Sequence, residues 1–376
     1  MTHDGTVSST LPPRPARGYL DTPSMGLPGA GTVDVMRAAL DNWALGRADY
    51  LVWEHSMAAC RALFGSIVDV NPEQVGLLPS VVPAVSAVAA TLAEGYGVVV
   101  AHRKEFRSLL LPVLAQVGED RIRWVDGPYL ADTFIDALDG GVDAVIVSAV
   151  SSHDGARISL ARLDSAARSA GSILVVDGTQ AAGIVVPDVA VGELALFTCA
   201  GYKGLRGPRG VAYAVAHDDV VARFAAPSAY GVADARERGS YGPPLIRKRG
   251  GAGLDQSPAW LAWVGSEPAL AELAQEPADR RERRVLQLAS RLREQVDGLG
   301  LAPQSTDLPS SIVTFEVHNP EMLIERLASA GIRASSRLGR VRLGLHVYND
   351  EHDVDLACEA LDDAFQTSQD AKGPTP

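Results

Sequence analysis

Between residues 97 and 214 the chain alternates short, largely apolar runs with stretches of helical period. The runs lie at 97–101, 122–125, 143–148, 172–177, 194–198 and 210–214, and 160–170 is an amphipathic helical stretch between two of them. A strand that is apolar at every position, rather than at alternate ones, must be covered on both faces. Helices supply that cover in a parallel sheet, because each parallel crossover needs about a dozen residues or more. The pattern predicts an α/β fold with a mostly parallel sheet between helices. Two long helical stretches follow, at 257–273 and 278–299. The segments 311–317, 319–330, 341–345 and 350–364 then read β-α-β-α, a small C-terminal α+β domain.

These rhythms divide the 376 residues into an N-terminal arm (1–32), a large domain (33–256), a connecting helix with the small domain (257–366) and a tail (367–376). The first 17 residues or so and the tail are rich in Ser, Thr, Pro and Gly, a composition that predicts disorder. The segment 220–256 has no period and predicts a long loop region, whose Arg-rich part, 236–249, is a candidate lining for a cleft entrance.

Composition narrows the function classes. No apolar run approaches the roughly 18 residues of a membrane span. The N-terminal segment lacks the apolar core of a secretory signal, so a cytoplasmic location is expected. Cys60, Cys199 and Cys358 are scattered, which argues against a disulfide framework and against a metal site. A net charge of −12 argues against nucleic acid as a partner.

Ligands of open α/β sheets bind beyond the carboxyl ends of the strands. Asp177 directly follows the apolar run 173–176, and Gln180 lies three residues on. Lys203 sits in Gly-Tyr-Lys-Gly-Leu-Arg-Gly-Pro-Arg-Gly, residues 201–210, just past the next strand. Each residue alone has a plainer reading: an Asp after a strand is common, and most loop lysines are solvated charges. Their joint occurrence, in this order and context, resembles the class V aminotransferase and cysteine desulfurase superfamily, from about Tyr19 to Ala364. That superfamily has the type I fold of pyridoxal 5′-phosphate (PLP) enzymes: a large domain with a seven-stranded-type, mostly parallel sheet, and a small C-terminal domain.

The resemblance implies roles residue by residue. Lys203 would hold the cofactor aldehyde covalently and later move protons. Asp177 would sit against the pyridine nitrogen and keep it protonated. Gln180 would donate to the ring hydroxyl oxygen, and Phe106 would stack on the ring. Ser80, Val81 and Val82, ahead of an apolar helix, would offer backbone N–H groups to the phosphate, with help from Tyr202. Ser257 would reach the phosphate from a neighbouring subunit, which implies a homodimer with shared sites. Arg342 would hold the substrate α-carboxylate, with Thr22 and Ser24 of the N-terminal arm as further substrate contacts. Phe106 also reads as a plain core aromatic, and Ser257, in Ser-Pro, as a helix cap. Gly26-Leu-Pro-Gly-Ala-Gly31 follows no strand and lacks the spacing of a dinucleotide loop.

The cofactor does not fix the reaction. Desulfurase relatives carry a cysteine ahead of the carboxylate-binding arginine, and 331–340 has none, so persulfide chemistry is not expected. Relatives often have Trp after the lysine. Gly204 in its place predicts extra room and a substrate larger than a free amino acid. The leading expectation is a C–S lyase that eliminates from an S-substituted cysteine, or a related eliminating or decarboxylating enzyme. The alternatives are an aminotransferase, an epimerase and a non-catalytic PLP-fold protein.

Overall fold

A computed structural model describes residues 17–95, 97–216, 221, 228–232, 242–243 and 245–370. The seven strands of the main sheet are β1 (Val75–Leu78), β2 (Val98–His102), β3 (Ile122–Val125), β4 (Val142–Ser148), β5 (Ile173–Asp177), β6 (Leu196–Ala200) and β7 (Ala212–Ala216), in the order β1-β7-β6-β5-β4-β2-β3. The pairs from β3 through β6 are parallel, whereas β7 runs antiparallel to both β6 and β1. The sheet is thus mostly parallel, as its continuous apolar runs dictate. β1 was not anticipated: four residues of Val-Gly-Leu-Leu carry too little period to read as a strand.

Among the described residues the helices include α1 (Ala30–Ala44), α2 (Tyr50–Val68), α3 (Val82–Glu94), α4 (Arg107–Val117), α5 (Ala131–Ile135), α6 (Leu160–Ser169), α7 (Trp260–Ala274), α8 (Ala278–Gly298), α9 (Pro320–Ser329) and α10 (Glu351–Asp370). Two apolar clusters pack against the main sheet. One holds Phe64 of α2, Tyr213 of β7 and Trp263 of α7, with Phe64 and Tyr213 stacked at 4.2 Å. The other holds Val85 of α3 and Leu109 and Val113 of α4. α7 starts two residues later than the Ser-Pro signal implied, and Ala259, not Ser257, is its N-cap residue. α10 runs six residues beyond Ala364, into the stretch expected to be a tail.

The second sheet is antiparallel and three-stranded, β8-β10-β9, from β8 (Ile312–Glu316), β9 (Ser335–Arg337) and β10 (Arg340–Gly344). The arm bonds to this sheet: Leu20 N–H donates to Arg333 O at 2.8 Å and Gly344 N–H to Leu20 O at 2.7 Å. It then crosses to the main sheet, where Gly26 N–H donates to Tyr202 O at 2.9 Å. Only glycine fits there, because a Cβ on Gly26 would lie 2.1 Å from the carbonyl oxygen of Lys203. This is the physical use of the glycine run that was discounted as a dinucleotide loop. Residues 1–16, 371–376 and Arg236 with its neighbours 233–241 lie outside the described residues. Among the described residues no helix is long and apolar enough to cross a membrane.

Candidate active site

Register brings the polar strand ends into one row: Ser148 of β4 pairs with Asp177 of β5, and Asp177 with Thr198 of β6. Asp177 is buried. Gly178 lets the chain turn there, since a Cβ would fall 2.0 Å from the Phe197 ring. Thr179 N–H donates to Asp177 Oδ1 at 2.8 Å, and Thr179 Oγ1 accepts from Ala200 N–H at 3.0 Å. Burial raises the Asp177 pKa, opposed by the Thr179 hydrogen bonds and the charge of Lys203. Gln180 is buried one step on, and its Nε2 donates to the Pro23 carbonyl of the arm at 3.1 Å.

Lys203 lies in the turn after β6. That turn is closed by Gly201 N–H to Val211 O at 2.8 Å and Gly207 N–H to Gly201 O at 2.8 Å. The next carbonyl, Gly204 O, accepts from His346 Nε2 at 2.8 Å. Lys203 is only 5% exposed, and burial pulls its pKa down to about 8, against the opposing charge of Asp177. An amine in this environment is deprotonated far more readily than an ordinary lysine.

Two cavities meet at this lysine. The inner one is lined by Ser80, Phe106, Asp177, Thr179, Gln180 and Arg209 among others. The outer one is lined by Ser24, Lys104, Arg107, Arg337, Leu338 and Arg342 among others. Lys203, Phe106, Tyr202 and Ser152 line both. Lys203 Nζ stands 5.2 Å from the Phe106 ring centroid and 5.8 Å from that of Tyr202. Arg342 is 1% exposed; its Nη1 donates to Ser152 O at 2.7 Å and its Nη2 to Ser24 Oγ at 2.9 Å.

The inner donor set fits a phosphorylated pyridine aldehyde. It offers a buried amine, a buried carboxylate at a strand end and an aromatic face. It also offers a helix start for an anion: among the described residues no side chain caps α3, which leaves the N–H groups of Val82 and Ala84, Pro83 having none, for a phosphate beside Ser80 and Val81. Val82 lies one residue further on, 38% exposed and outside the lining. Ser257 is exposed and lines neither cavity of its own chain. Thr22 is buried with its hydroxyl against that of Tyr348, and it too lines neither cavity. Phe106 is 42% exposed, so it is not a core aromatic.

Four residues of the site were not singled out in the sequence. Thr179 stands inside the Asp-Gly-Thr-Gln motif, and Arg209 in the variable slot of Gly-Pro-Arg-Gly, its guanidinium 5.2 Å from the Tyr202 centroid. Arg337 and His346 flank the Arg342 strand and reach the site only through the fold. The expectation of spare room at Gly204 is overturned. A Cβ there would lie 2.3 Å from Ala182 O and 2.7 Å from Ile184 Cγ1, so the position is filled by the Ala182 backbone and the Ile184 side chain.

The sequence pattern of the family Aminotransferase class-V matches residues 84–356. No curated protein matches the chain. Solved structures of similar fold include the apo cysteine desulfurase from Thermococcus onnurineus NA1, with TM-score 0.76 and 19% identity over 93% of this chain and 95% of that one. Another is the cystine C-S lyase C-DES in complex with its reaction product cysteine persulfide, with TM-score 0.78 and 19% identity over 92% and 97%. A C-DES mutant with glycine covalently linked to its PLP cofactor has TM-score 0.77 and 18% identity over 92% and 96%. The exclusion of a cysteine desulfurase is therefore withdrawn. A desulfurase shares this fold across nearly the whole chain, and the lack of cysteine in ten residues of sequence does not set the two apart.

Proposed function

The chain belongs to the aminotransferase class-V family and is a PLP-dependent enzyme, and we propose that it cleaves the carbon–sulfur bond of a cysteine-class α-amino acid, with Lys203 as the group that holds the cofactor and moves the proton. The observation that carries this reading is that one buried amine lines both cavities, the inner fitted to the cofactor and the outer to an amino acid. Support for sulfur chemistry comes from the names of the fold neighbours, a cysteine desulfurase and a cystine C-S lyase, both of which act on cysteine-type sulfur.

When bound, the cofactor supplies an electron sink for the bonds of the substrate α-carbon. Asp177 would keep the ring nitrogen of a bound cofactor protonated, and that positive charge would compensate the cost of burying its carboxylate. Phe106, which lines the same cavity, would cover a face of the ring. Ser80, Tyr202, Arg209 and the free N–H groups at the start of α3 hold the phosphate. Gln180 keeps a second N–H for the ring oxygen beside the one it gives to Pro23. Arg342 takes the α-carboxylate, displacing the neutral hydroxyl of Ser24. Lys203 would hold the cofactor and act as the base toward the substrate α-proton; its pKa, lowered to about 8 by burial, favours the free amine relative to an ordinary lysine.

A homodimer is part of the same reading. Trp43, Leu45, Tyr50, Leu51 and Val52, at the join of α1 and α2, are all exposed, a band of apolar surface that a second copy would cover. Ser257, outside its own chain's cavities, is then available to the neighbour. Light scattering is expected to give twice the 39.6 kDa chain mass.

The function is tested by incubating the PLP-loaded protein with cysteine, cystine and an S-substituted cysteine, without keto acid, and weighing the products. Alanine with released sulfur marks desulfuration. Pyruvate, ammonia and a thiol or persulfide mark elimination. A keto acid with its sulfur linkage intact, or substrates of unchanged mass, would reject carbon–sulfur cleavage.

A further inference from the structure

The outer cavity carries more positive charge than an α-carboxylate uses. Lys104, Arg107, Arg337 and Arg342 line it, against a single acidic lining residue, Glu105. Glu105 is buried, and its oxygens already accept from Ser148 Oγ at 2.6 Å, Tyr129 OH at 2.5 Å and Phe106 N–H at 2.6 Å. Arg342 has an acid close by, Asp21, whose Oδ1 lies 3.8 Å from Nη2. Arg337 has no carboxylate partner among the described residues: its Nη1 donates to Ser336 O at 2.6 Å and its Nη2 to Ser24 Oγ at 3.0 Å. Two guanidinium groups, those of Arg337 and Arg342, therefore converge on one neutral hydroxyl. Like charges brought this close repel unless an anion joins them. In a chain of net charge −12, such a concentration of cations is local and directed inward.

The backbone that presents Arg337 is itself unusual. β9 and β10 are joined by Leu338 at φ 47° and Gly339 at φ 85°. A two-residue hairpin turn of this kind suits Asn-Gly; a leucine with positive φ is strained. Leu338 is also 76% exposed, so burial does not compensate the strain. Strain held without a packing reward clusters at functional sites. What this tight turn achieves is to set Arg337 and Leu338 at the lip of the cavity.

We propose that Arg337 binds a second anionic group on the substrate, so that this site selects amino acids bearing a carboxylate, sulfonate or phosphate beyond the α-carboxylate. The proposal rests on the reading of Arg342 as the α-carboxylate partner. Arg337 is then a specificity-determining residue, and Lys104 and Arg107 extend the same field. Burial first, and then Arg337, lowers the pKa of Arg342 to about 10; an anion between the two would relieve that repulsion.

The test uses binding, so it does not depend on which bond breaks. The PLP-loaded protein is titrated with aspartate against asparagine, glutamate against glutamine, and S-carboxymethylcysteine against its amide, following the visible cofactor band. Within at least one isosteric pair the acid is expected to bind about 10-fold or more tightly than the amide. That ratio is expected to collapse toward one in Arg337→Gln and to recover in part in Arg337→Lys. Equal binding of acid and amide in all pairs, or a ratio that survives Arg337→Gln, overturns the proposal. Failure of the underlying reading looks different: Arg342→Gln would then leave the binding of acids and amides alike unchanged.

Discussion

His346 donates its Nε2–H to the carbonyl of Gly204, the residue after Lys203, at 2.8 Å. The bond ties the small sheet to the loop that presents the amine, and it places the proton of the neutral ring on Nε2, because a carbonyl can only accept. The other ring nitrogen, Nδ1, is buried and has no hydrogen-bond partner.

Stability should fall on the acid side for this reason. Burial first, and then the charge of Arg206, lowers the His346 pKa from 6.5 to about 3. Between those values the unfolded chain takes a proton that the folded chain refuses, so stability falls as pH drops from about 6.5 toward 3 and is flat in this respect above it. The slope from one group is at most about 1.4 kcal/mol per pH unit. Urea midpoints of wild type and His346→Gln across pH 4.5–7.5 are expected to differ in slope. Parallel curves would show that His346 titrates normally in the folded state.

Phe106→Ala should weaken the cofactor without unfolding the chain. The side chain is 42% exposed, and its backbone is fixed by Glu105, whose carboxylate accepts the Phe106 N–H at 2.6 Å. Loss of an aromatic stack is worth about 1–1.5 kcal/mol, so the PLP Kd should rise roughly 10-fold. Fluorescence titration of the cofactor-free protein checks this, with its melting temperature as the control. An unchanged Kd would remove Phe106 from the cofactor site.

Arg342→Lys should harm substrate binding more than cofactor binding. A lysine keeps the charge but loses the planar fork that meets a carboxylate with two bonds. The affinity for amino acids is expected to fall by about 10- to 100-fold, with PLP affinity little changed. Spectral titration measures both in one sample.

Gly204→Ala should destabilise the fold by about 1–3 kcal/mol, because its Cβ would meet Ala182 O at 2.3 Å. Urea unfolding measures this. A wild-type midpoint would mean that the position has the spare room the sequence implied.

The parallel core was legible because burial on both faces writes itself as unbroken apolar runs, as in β4 and β5. Asp177, Gln180 and Lys203 were legible because they stand at the ends of those runs, in a motif. What stayed hidden depends on contacts distant in sequence. β1 is defined by its antiparallel partner β7 rather than by its own pattern. Arg337 matters because Ser24, 313 residues away, brings it against Arg342. Gly204 misled because a missing side chain reads as empty space, whereas Ala182 and Ile184 fill it.

The most direct measurement is to reduce the PLP-loaded protein with borohydride, digest it and locate the pyridoxyl group by mass spectrometry. The chain offers Lys104, Lys203, Lys248 and Lys372. Modification of Lys203, abolished in Lys203→Ala, is the expected result. Modification of Lys104, which lines the outer cavity, or of no lysine, would contradict the assignment of the buried amine between the two cavities as the group that holds the cofactor.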